Sequence, residues 1–232
     1  VTKHATVVSH LSSVIKQRSL LDVSLLEQDM VSNSSCNEHW NRLVETCRRS
    51  DVHREDILRL CIIYNMRYEK FGAPSRTEEL LQSAEERQLL GSIREYFGDR
   101  PVDTLFASSG VMSSIVKTFS DVGNIYTQHE PALKKILHAL VTGKLDDNAY
   151  AYAPIQAAPP APYRPKEVIV FSCGGTTYAE AALVRAVNKG TAFSTGSLTL
   201  PPTTANDFKV MLGGTEVLSS SDFLHQLRAS IS

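Results

Sequence analysis

One sequence unit occurs twice in the last third of the chain and limits the possible folds more than any other feature. Each copy is a short apolar run, then a glycine pair and a threonine, then a helical pattern; the two runs are Val168–Cys173 and Lys209–Leu212. A buried parallel strand that turns into a helix has this pattern. Because parallel strands need cover on both faces, the repeat predicts strands of a larger sheet, although the chain shows few other strand signals.

Residues 1–150 carry the spacing of amphipathic helices. The clearest pattern lies within 54–70, where side chains recur at i, i+3, i+4, i+7 and i+11 on one helical face: Ile57, Leu60, Cys61, Tyr64 and Tyr68. Further helical patterns lie within 7–15, 25–30, 40–47, 80–97, 111–119 and 133–141. Four Ser/Thr-x-x-Glu pairs predict capping boxes at helix starts: Ser24 with Glu27, Ser35 with Glu38, Ser75 with Glu78, and Thr177 with Glu180.

The rest of the chain predicts a linker and a small α/β region, so the fold class is α/β. Residues 151–165 contain five prolines and almost no charge, which favours an extended linker. Residues 166–232 predict a parallel β-α-β-α unit that completes a larger sheet. Its predicted strands lie near 167–173 and 208–212, and its helices near 177–189 and 220–230. The insert Gly190–Asp207 is predicted to be a loop, with a short strand as an alternative at Ser197–Leu200.

Two or three parallel strands cannot cover both faces and both edges of a sheet. We therefore expect an exposed apolar strand edge or face. In the functional protein, this edge or face would be covered by another chain, by a second copy or by a segment that this sequence does not contain.

Composition narrows the class of function. The net charge of −1 over 232 residues leaves no basic excess for a phosphate backbone, so nucleic acid is not an expected partner. The four cysteines lack C-x-x-C spacing and follow no secretory signal, which indicates reduced thiols in a cytoplasmic protein. No apolar run approaches the roughly 20 residues that cross a bilayer, so any membrane association is expected to be peripheral. The chain begins at Val1 inside a helical pattern, which is typical of a fragment.

The glycine pairs support an alternative function, an α/β enzyme that binds a nucleotide or phosphate through Gly174-Gly175 and Gly213-Gly214. Neither loop has the lysine of G-x-x-x-x-G-K-[ST] or the three spaced glycines of a dinucleotide fingerprint. Glycine pairs after strands also permit tight turns and close helix packing. We favour this structural role, and the alternative stays open.

Metal and catalytic patterns are weak. Cys36 and His39 have C-x-x-H spacing and Cys47 follows, but a zinc site would need Cys61 or His53 as a fourth ligand. Cys61 lies on an apolar helical face, which favours a core thiol. His129 has no nearby nucleophile to act upon. We therefore predict no enzyme activity, no catalytic, cofactor-binding or metal-binding residues, and no cofactor; the partner-binding residues are unknown.

Read in order, several short stretches resemble the SM (Sec/Munc-type) family of SNARE regulators, and within it the vacuolar protein sorting-associated protein 45 type. They span nearly the whole chain and are these: Arg18–Ser24 with Glu27, Arg59-Leu60 with Arg67–Glu69, Asn124–His129 with Pro131, Gly143–Leu145, Val168–Phe171 with Gly174–Tyr178, and Leu212–Thr215 with Phe223-Leu224. The Tyr-Thr-Gln-His-x-Pro stretch together with both glycine units is the most specific part. The resemblance covers only the C-terminal part of such proteins.

The resemblance implies a non-enzymatic, arch-shaped protein that clasps a syntaxin-type SNARE and promotes vesicle docking and fusion at endosomes and the Golgi. Residues 1–150 would be the remaining helical part of domain three, and residues 166–232 the C-terminal part of domain two. Syntaxin would bind mainly through the missing N-terminal portion. The implied location is cytoplasmic and peripheral on Golgi and endosomal membranes, with no nucleic acid or small-molecule substrate.

Overall fold

A computed structural model describes residues 2–69, 75–97, 130–151, 164–194 and 198–231. The chain divides into two compact units, one formed by Val1–His129 with Leu224–Ser232 and the other by Glu130–Phe223. The predictions for the helix within 111–119, for His129 and for most of the linker lie outside the described residues.

The first unit is helical among its described residues. Its elements are α1 (Thr2–Gln17), α2 (Leu20–Ser32), α3 (Cys36–Cys47), α4 (Arg54–Tyr68), a 3₁₀ helix (Arg76–Leu80) and α5 (Ala84–Phe97), together with most of α9 (Ser220–Ile231). The predicted helical region is confirmed over these ranges. The 80–97 pattern is interrupted between the 3₁₀ helix and α5.

Helix α4 lies at the centre of this unit. The sequence pattern predicted one apolar face, but buried residues occur around most of the helix because neighbouring elements cover it on several sides. The core that surrounds it contains Val23, Leu26 and Met30 of α2, Leu43 of α3, Leu89, Leu90 and Ile93 of α5, and Leu224 of α9.

A network of charged side chains crosses this unit. The fully buried carboxylate of Asp56 accepts hydrogen bonds from Arg18 at 2.8 and 2.9 Å and from Arg59 at 3.0 Å. Arg59 also pairs with Glu27, and burial raises the pKa of the Glu27 carboxyl against the opposing effect of Arg59. The network joins the turn after α1 to α2 and α4.

The predicted capping boxes have different outcomes. Ser24 lies inside α2, which begins at Leu20, so that box is wrong. The helix begins earlier because Ser19 adopts φ 48° and its hydroxyl hydrogen-bonds to Asp51, which ends α1 through a tertiary contact. Ser35 and Ser75 stand at helix starts but make no side-chain cap hydrogen bond. The Thr177–Glu180 box is confirmed.

The described residues of the second unit form two pairs of parallel strands and three helices, besides the first turn of α9. In chain order its elements are α6 (Leu133–Thr142), β1 (Glu167–Ser172), β2 (Thr176–Thr177), α7 (Tyr178–Asn188), α8 (Pro202–Asp207), β3 (Lys209–Gly214) and β4 (Val217–Leu218). Strand β1 pairs with β3 in parallel, with Glu167 opposite Lys209 and Ser172 opposite Gly214. The two-residue strands β2 and β4 also pair in parallel. The predicted parallel β-α-β arrangement is confirmed.

The insert between α7 and β3 is not entirely a loop. Residues 202–207 form α8, whose first residue is a proline, because proline fits the first helical turn and Ala205 packs into the core. The alternative of a strand at Ser197–Leu200 is not observed in its described residues, 198–200.

The division into units differs from the predicted boundary within 151–165. Helix α6 belongs to the second unit, because its buried residues Leu133, Leu137 and Val141 share a core with Val184 and Val187 of α7. A left-handed Gly143 (φ 67°) ends this helix. The assignment of these segments to the domains of SM proteins remains a prediction.

Candidate interaction surfaces

The strand-end loops use their backbone amides internally. The Gly174 N–H donates to Thr215 Oγ1 at 3.1 Å, and the Thr176 N–H donates to the Glu216 carbonyl at 2.8 Å. The Thr215 N–H donates to the Ser172 carbonyl at 3.2 Å. These donors hold the two loops to each other, and a phosphate cradle would instead present such donors to a ligand.

Backbone N–H groups at the start of α7 are also bonded within the chain. The Thr177 N–H donates to Glu180 Oε2 at 2.8 Å, and the Glu180 N–H donates to Thr177 Oγ1 at 3.3 Å. The Glu180 carboxylate therefore takes the position at the helix N-terminus that an anion would need.

The glycines of both loops have a packing role. Gly175 adopts φ +116°, and a Cβ built there would lie 2.7 Å from Leu218 Cδ1. A Cβ on Gly214 would lie 2.8 Å from Thr176 Cγ2. The glycines therefore permit close approach of the two strand ends, and the alternative of a nucleotide- or phosphate-binding enzyme is not supported.

The residues of the weak metal pattern have other partners. Cys36 Sγ lies 3.2 Å from the Tyr64 hydroxyl, and His39 Nδ1 lies 2.5 Å from the Tyr68 hydroxyl. The other ring nitrogen of His39, Nε2, is 3.2 Å from Asp29 Oδ2. Across the described ranges, no group of three or more His, Cys, Asp or Glu side chains is placed to hold a metal ion.

Cys61 is a core thiol, as the helical pattern favoured. It is fully buried. The neighbouring Cys47 thiol, together with burial, raises the pKa of the Cys61 thiol, and Cys61 in turn lowers the pKa of Cys47. Cys61 is therefore held in the protonated form.

Asp29 connects α2 to α3 and makes the helical unit sensitive to acid. His39, with Asn33 and Arg42, holds the pKa of the Asp29 carboxyl well below its usual range, although burial opposes the shift. Because the folded pKa is depressed, this carboxylate contributes stability that is present above its unfolded pKa of about 3.9. That stability is lost as the pH falls from there toward the lower folded pKa.

Asp29→Asn is therefore expected to reduce the loss of stability on acidification. Urea unfolding at about pH 6 and about pH 3 should show a smaller fall in the unfolding free energy for this variant than for the unchanged chain. Asp22→Asn, at an exposed carboxylate paired with Arg49, is the matched control. An identical fall in Asp29→Asn and the unchanged chain would contradict the assignment.

One face of the β1–β3 sheet is apolar and open. Val168, Val170, Val210 and Leu212 point to the covered face and pack in the core of the second unit. On the opposite face, Ile169, Phe171 and Met211 are 76%, 62% and 67% exposed. The prediction of an exposed apolar face is thus confirmed for the described part of the chain.

Helix α1 carries a second exposed apolar surface. Val7, Val8 and Leu11 lie at i, i+1 and i+4 of the helix and are exposed, although the sequence pattern is that of a buried stripe. The helix has no acidic residue, and its charged side chains are Lys3 and Lys16. No described helix combines the length and the apolar character needed to span a bilayer.

Comparison with known proteins decides the family. A model described as the Sec1 family matches residues 1–226. The chain belongs to the Sec1 family. It is 30% identical over 240 residues to vacuolar protein sorting-associated protein 45 of Homo sapiens, and the match covers 99% of this chain and 39% of that relative. The Dictyostelium discoideum protein of the same name is 32% identical, with the same coverage of both chains.

Solved structures of Sec1-family proteins have the same fold. The structure described as "SM Protein Vps45 in Complex with Qa SNARE Tlg2 (1-310)" superposes with a TM-score of 0.72 at 27% identity, covering 100% of this chain and 38% of that one. A Monosiga brevicollis Unc18–syntaxin 1 complex, at 16% identity and a TM-score of 0.62, shows the fold alone. This Sec1-family chain spans about two fifths of the length of these relatives.

Sequence reasoning missed the residue that closes one edge of the sheet. Asn188, at the end of α7, hydrogen-bonds to both backbone groups of Val210. An asparagine at a helix end usually caps the helix, so the sequence around Asn188 did not indicate a hydrogen bond to a strand.

Proposed function

We propose that this chain is the C-terminal scaffold portion of a syntaxin-binding SNARE regulator that acts in vesicle docking and fusion at endosomes and the Golgi. The observation that carries the proposal is the match along the whole chain to an SM protein solved with a Qa SNARE. The similarity includes both compact units, which a shared local motif would not produce.

The proposed mode of action is scaffolding without catalysis. The Gly174 amide at the end of β1 and the Thr177 amide at the start of α7 are already bonded within the chain, so these donors are not free for a phosphate. What the described surface offers instead is apolar: the outer face of the sheet and the stripe on α1. Apolar surfaces of this kind bind protein elements.

We further propose that residues 1–150 correspond to the helical part of domain three and residues 166–232 to the end of domain two. The main syntaxin-binding surface would lie in the portion of the longer protein that this chain does not span. Location on Golgi and endosomal membranes would follow from the SNARE partner.

Binding to syntaxins tests the proposal. The full protein encoded by the reading frame that contains these residues is expected to bind the cytosolic region of a late-Golgi or endosomal syntaxin at least about tenfold more tightly than that of a plasma-membrane syntaxin. Calorimetry or biolayer interferometry measures both. The 232-residue chain alone is expected to bind much more weakly, since it serves as scaffold.

Two results would count against the proposal. The first is equal or undetectable binding to both syntaxins by a correctly folded full protein. The second is saturable binding of a nucleotide or sugar phosphate that Thr215→Val tightens, because this substitution removes the hydroxyl that accepts the Gly174 N–H bond and frees that donor for the ligand. Thr142→Val, at a hydroxyl bonded to the α6 backbone, is the control for a general effect of losing a threonine hydroxyl.

A further inference from the structure

His39 and Tyr68 form the centre of a polar cluster where α2, α3 and α4 meet. The His39 side chain is fully buried. Its Nδ1 lies 2.5 Å from the Tyr68 hydroxyl, and its Nε2 lies 3.2 Å from Asp29 Oδ2. The Tyr68 hydroxyl also donates to the Asn33 carbonyl at 3.2 Å and accepts the Ser35 N–H at 3.3 Å. The cluster therefore joins all three helices to the loop between α2 and α3.

The Tyr68 hydroxyl has a single hydrogen for two acceptors. Burial raises the pKa of this hydroxyl, so it keeps its hydrogen at neutral pH. The hydrogen can go to the His39 ring or to the Asn33 carbonyl, but not to both. When it goes to Asn33, the Nδ1 of His39 must carry a hydrogen of its own and donate it to the Tyr68 oxygen.

The second ring nitrogen of His39 faces a carboxylate. Nε2 is buried and makes no well-aligned hydrogen bond, so Asp29 acts on it chiefly through charge. An ionised carboxylate only accepts hydrogen bonds, and it would repel a bare nitrogen lone pair, so Nε2 carries a hydrogen. All the contacts of Tyr68 are therefore satisfied together only when both ring nitrogens are protonated and the ring is positive.

The charges around the ring permit that state. His39 and the other partners of Asp29 hold the pKa of its carboxyl well below the usual range, so Asp29 stays ionised between about pH 5 and 8, where histidines usually change charge. A buried positive charge needs such a counter-ion. Arg42 also pairs with Asp29 and opposes a second positive charge. The other titratable or charged groups of the cluster are Cys36 of α3 and Tyr64 and Arg67 of α4.

We propose that this cluster is a proton switch built into the helical unit. In the neutral ring Nε2 keeps the hydrogen and the Tyr68 hydroxyl donates to Nδ1, so the Asn33 carbonyl loses its bond from Tyr68. Uptake of one proton from solvent at Nδ1 reverses the His39–Tyr68 bond and turns the Tyr68 hydrogen to Asn33. The protonated state gains one hydrogen bond and an ion pair with Asp29, and it ties the loop between α2 and α3 to α4. Because folding then takes up a proton, stability rises as the pH falls through this range.

Nuclear magnetic resonance of the ring nitrogens tests the switch directly in the 232-residue chain. With isotope-labelled histidine, both nitrogens of His39 are expected to carry a hydrogen at about pH 6, and only Nε2 at about pH 8. The signals that disappear in His39→Gln identify the residue. A His39 ring in the same protonation state at both pH values would overturn the proposal, whichever state that is.

A pH series of urea unfolding, followed by Trp40 fluorescence, measures the consequence. From about pH 8 to about pH 6 the unfolding equilibrium constant of the unchanged chain is expected to fall about three- to tenfold further than that of His39→Gln, the usual effect of one net hydrogen bond. Tyr68→Phe keeps the ring without the hydroxyl and is expected to lose most of this difference.

His10→Gln, at an exposed histidine of α1, is the matched control and should respond to pH as the unchanged chain does. An equal pH response in His39→Gln and the unchanged chain would contradict the switch. A full response in Tyr68→Phe would contradict the part assigned to the Tyr68 hydroxyl.

Discussion

Replacing Asp56 by alanine is expected to destabilise the helical unit by about 3–5 kcal/mol, the range for breaking a buried ion pair. The Asp56 carboxylate is fully buried, with Arg18 on one side and Arg59 on the other. Without it, two guanidinium groups lose their shared partner, and Arg59 keeps only Glu27. Urea unfolding followed by the fluorescence of Trp40, the chain's single tryptophan, reports on this unit.

Asp22→Ala is the matched control for Asp56→Ala. Asp22 is also paired with an arginine, Arg49, but it lies at the surface, where solvent screens the pair, so the loss of stability should be far smaller. A double-mutant cycle with Arg18→Ala measures the coupling directly. A loss for Asp56→Ala no greater than for Asp22→Ala would show that burial does not strengthen the network.

Replacing Phe208 by alanine is expected to cost the second unit about 3–5 kcal/mol, the usual range for a buried phenylalanine. The side chain is 1% exposed and lies in the core formed by α6, α7 and the covered face of the sheet. Its removal loses apolar burial and leaves a cavity beside Val210. Because the chain has two compact units, hydrogen exchange of the α7 and β3 amides is the measurement that reports on the second unit alone.

Phe171→Ala is the matched control for Phe208→Ala. The residue type is the same, but Phe171 lies on the open face of the sheet, so the 232-residue chain should lose little stability. In the full protein the same substitution should become costly if that face is covered. Equal losses for Phe171→Ala and Phe208→Ala in the short chain would contradict the observed arrangement of the two faces.

Much of the fold could be predicted because its signals are local. The spacing of apolar residues predicted the C-terminal end of α4 to within two residues of its observed position. The glycine pairs predicted where β1 and β3 end. The prediction that too few strands are present for a complete sheet follows from the same spacing, and the exposed Ile169 bears it out.

The errors share a cause, which is that a local pattern was overruled by a distant contact. Ser24 has capping-box spacing, yet α2 begins at Leu20 because Ser19 is held by Asp51 and Arg49. Residues 202–207 contain a proline and two threonines, yet they form α8 where Ala205 meets the core. In each case the deciding partner lies outside any short sequence window.

The sequence by itself determined the helices, the two parallel strands and the family, because hydrophobic periodicity, glycine position and ordered motifs are all encoded over a few residues. Only the tertiary structure decided that Asp56 is buried between two arginines and that α6 shares a core with α7. It also decided that the Asn188 side chain binds the outer edge of β3. Burial and hydrogen bonding between residues more than 20 positions apart depend on how the elements pack, since packing sets both the distance between two groups and their access to water.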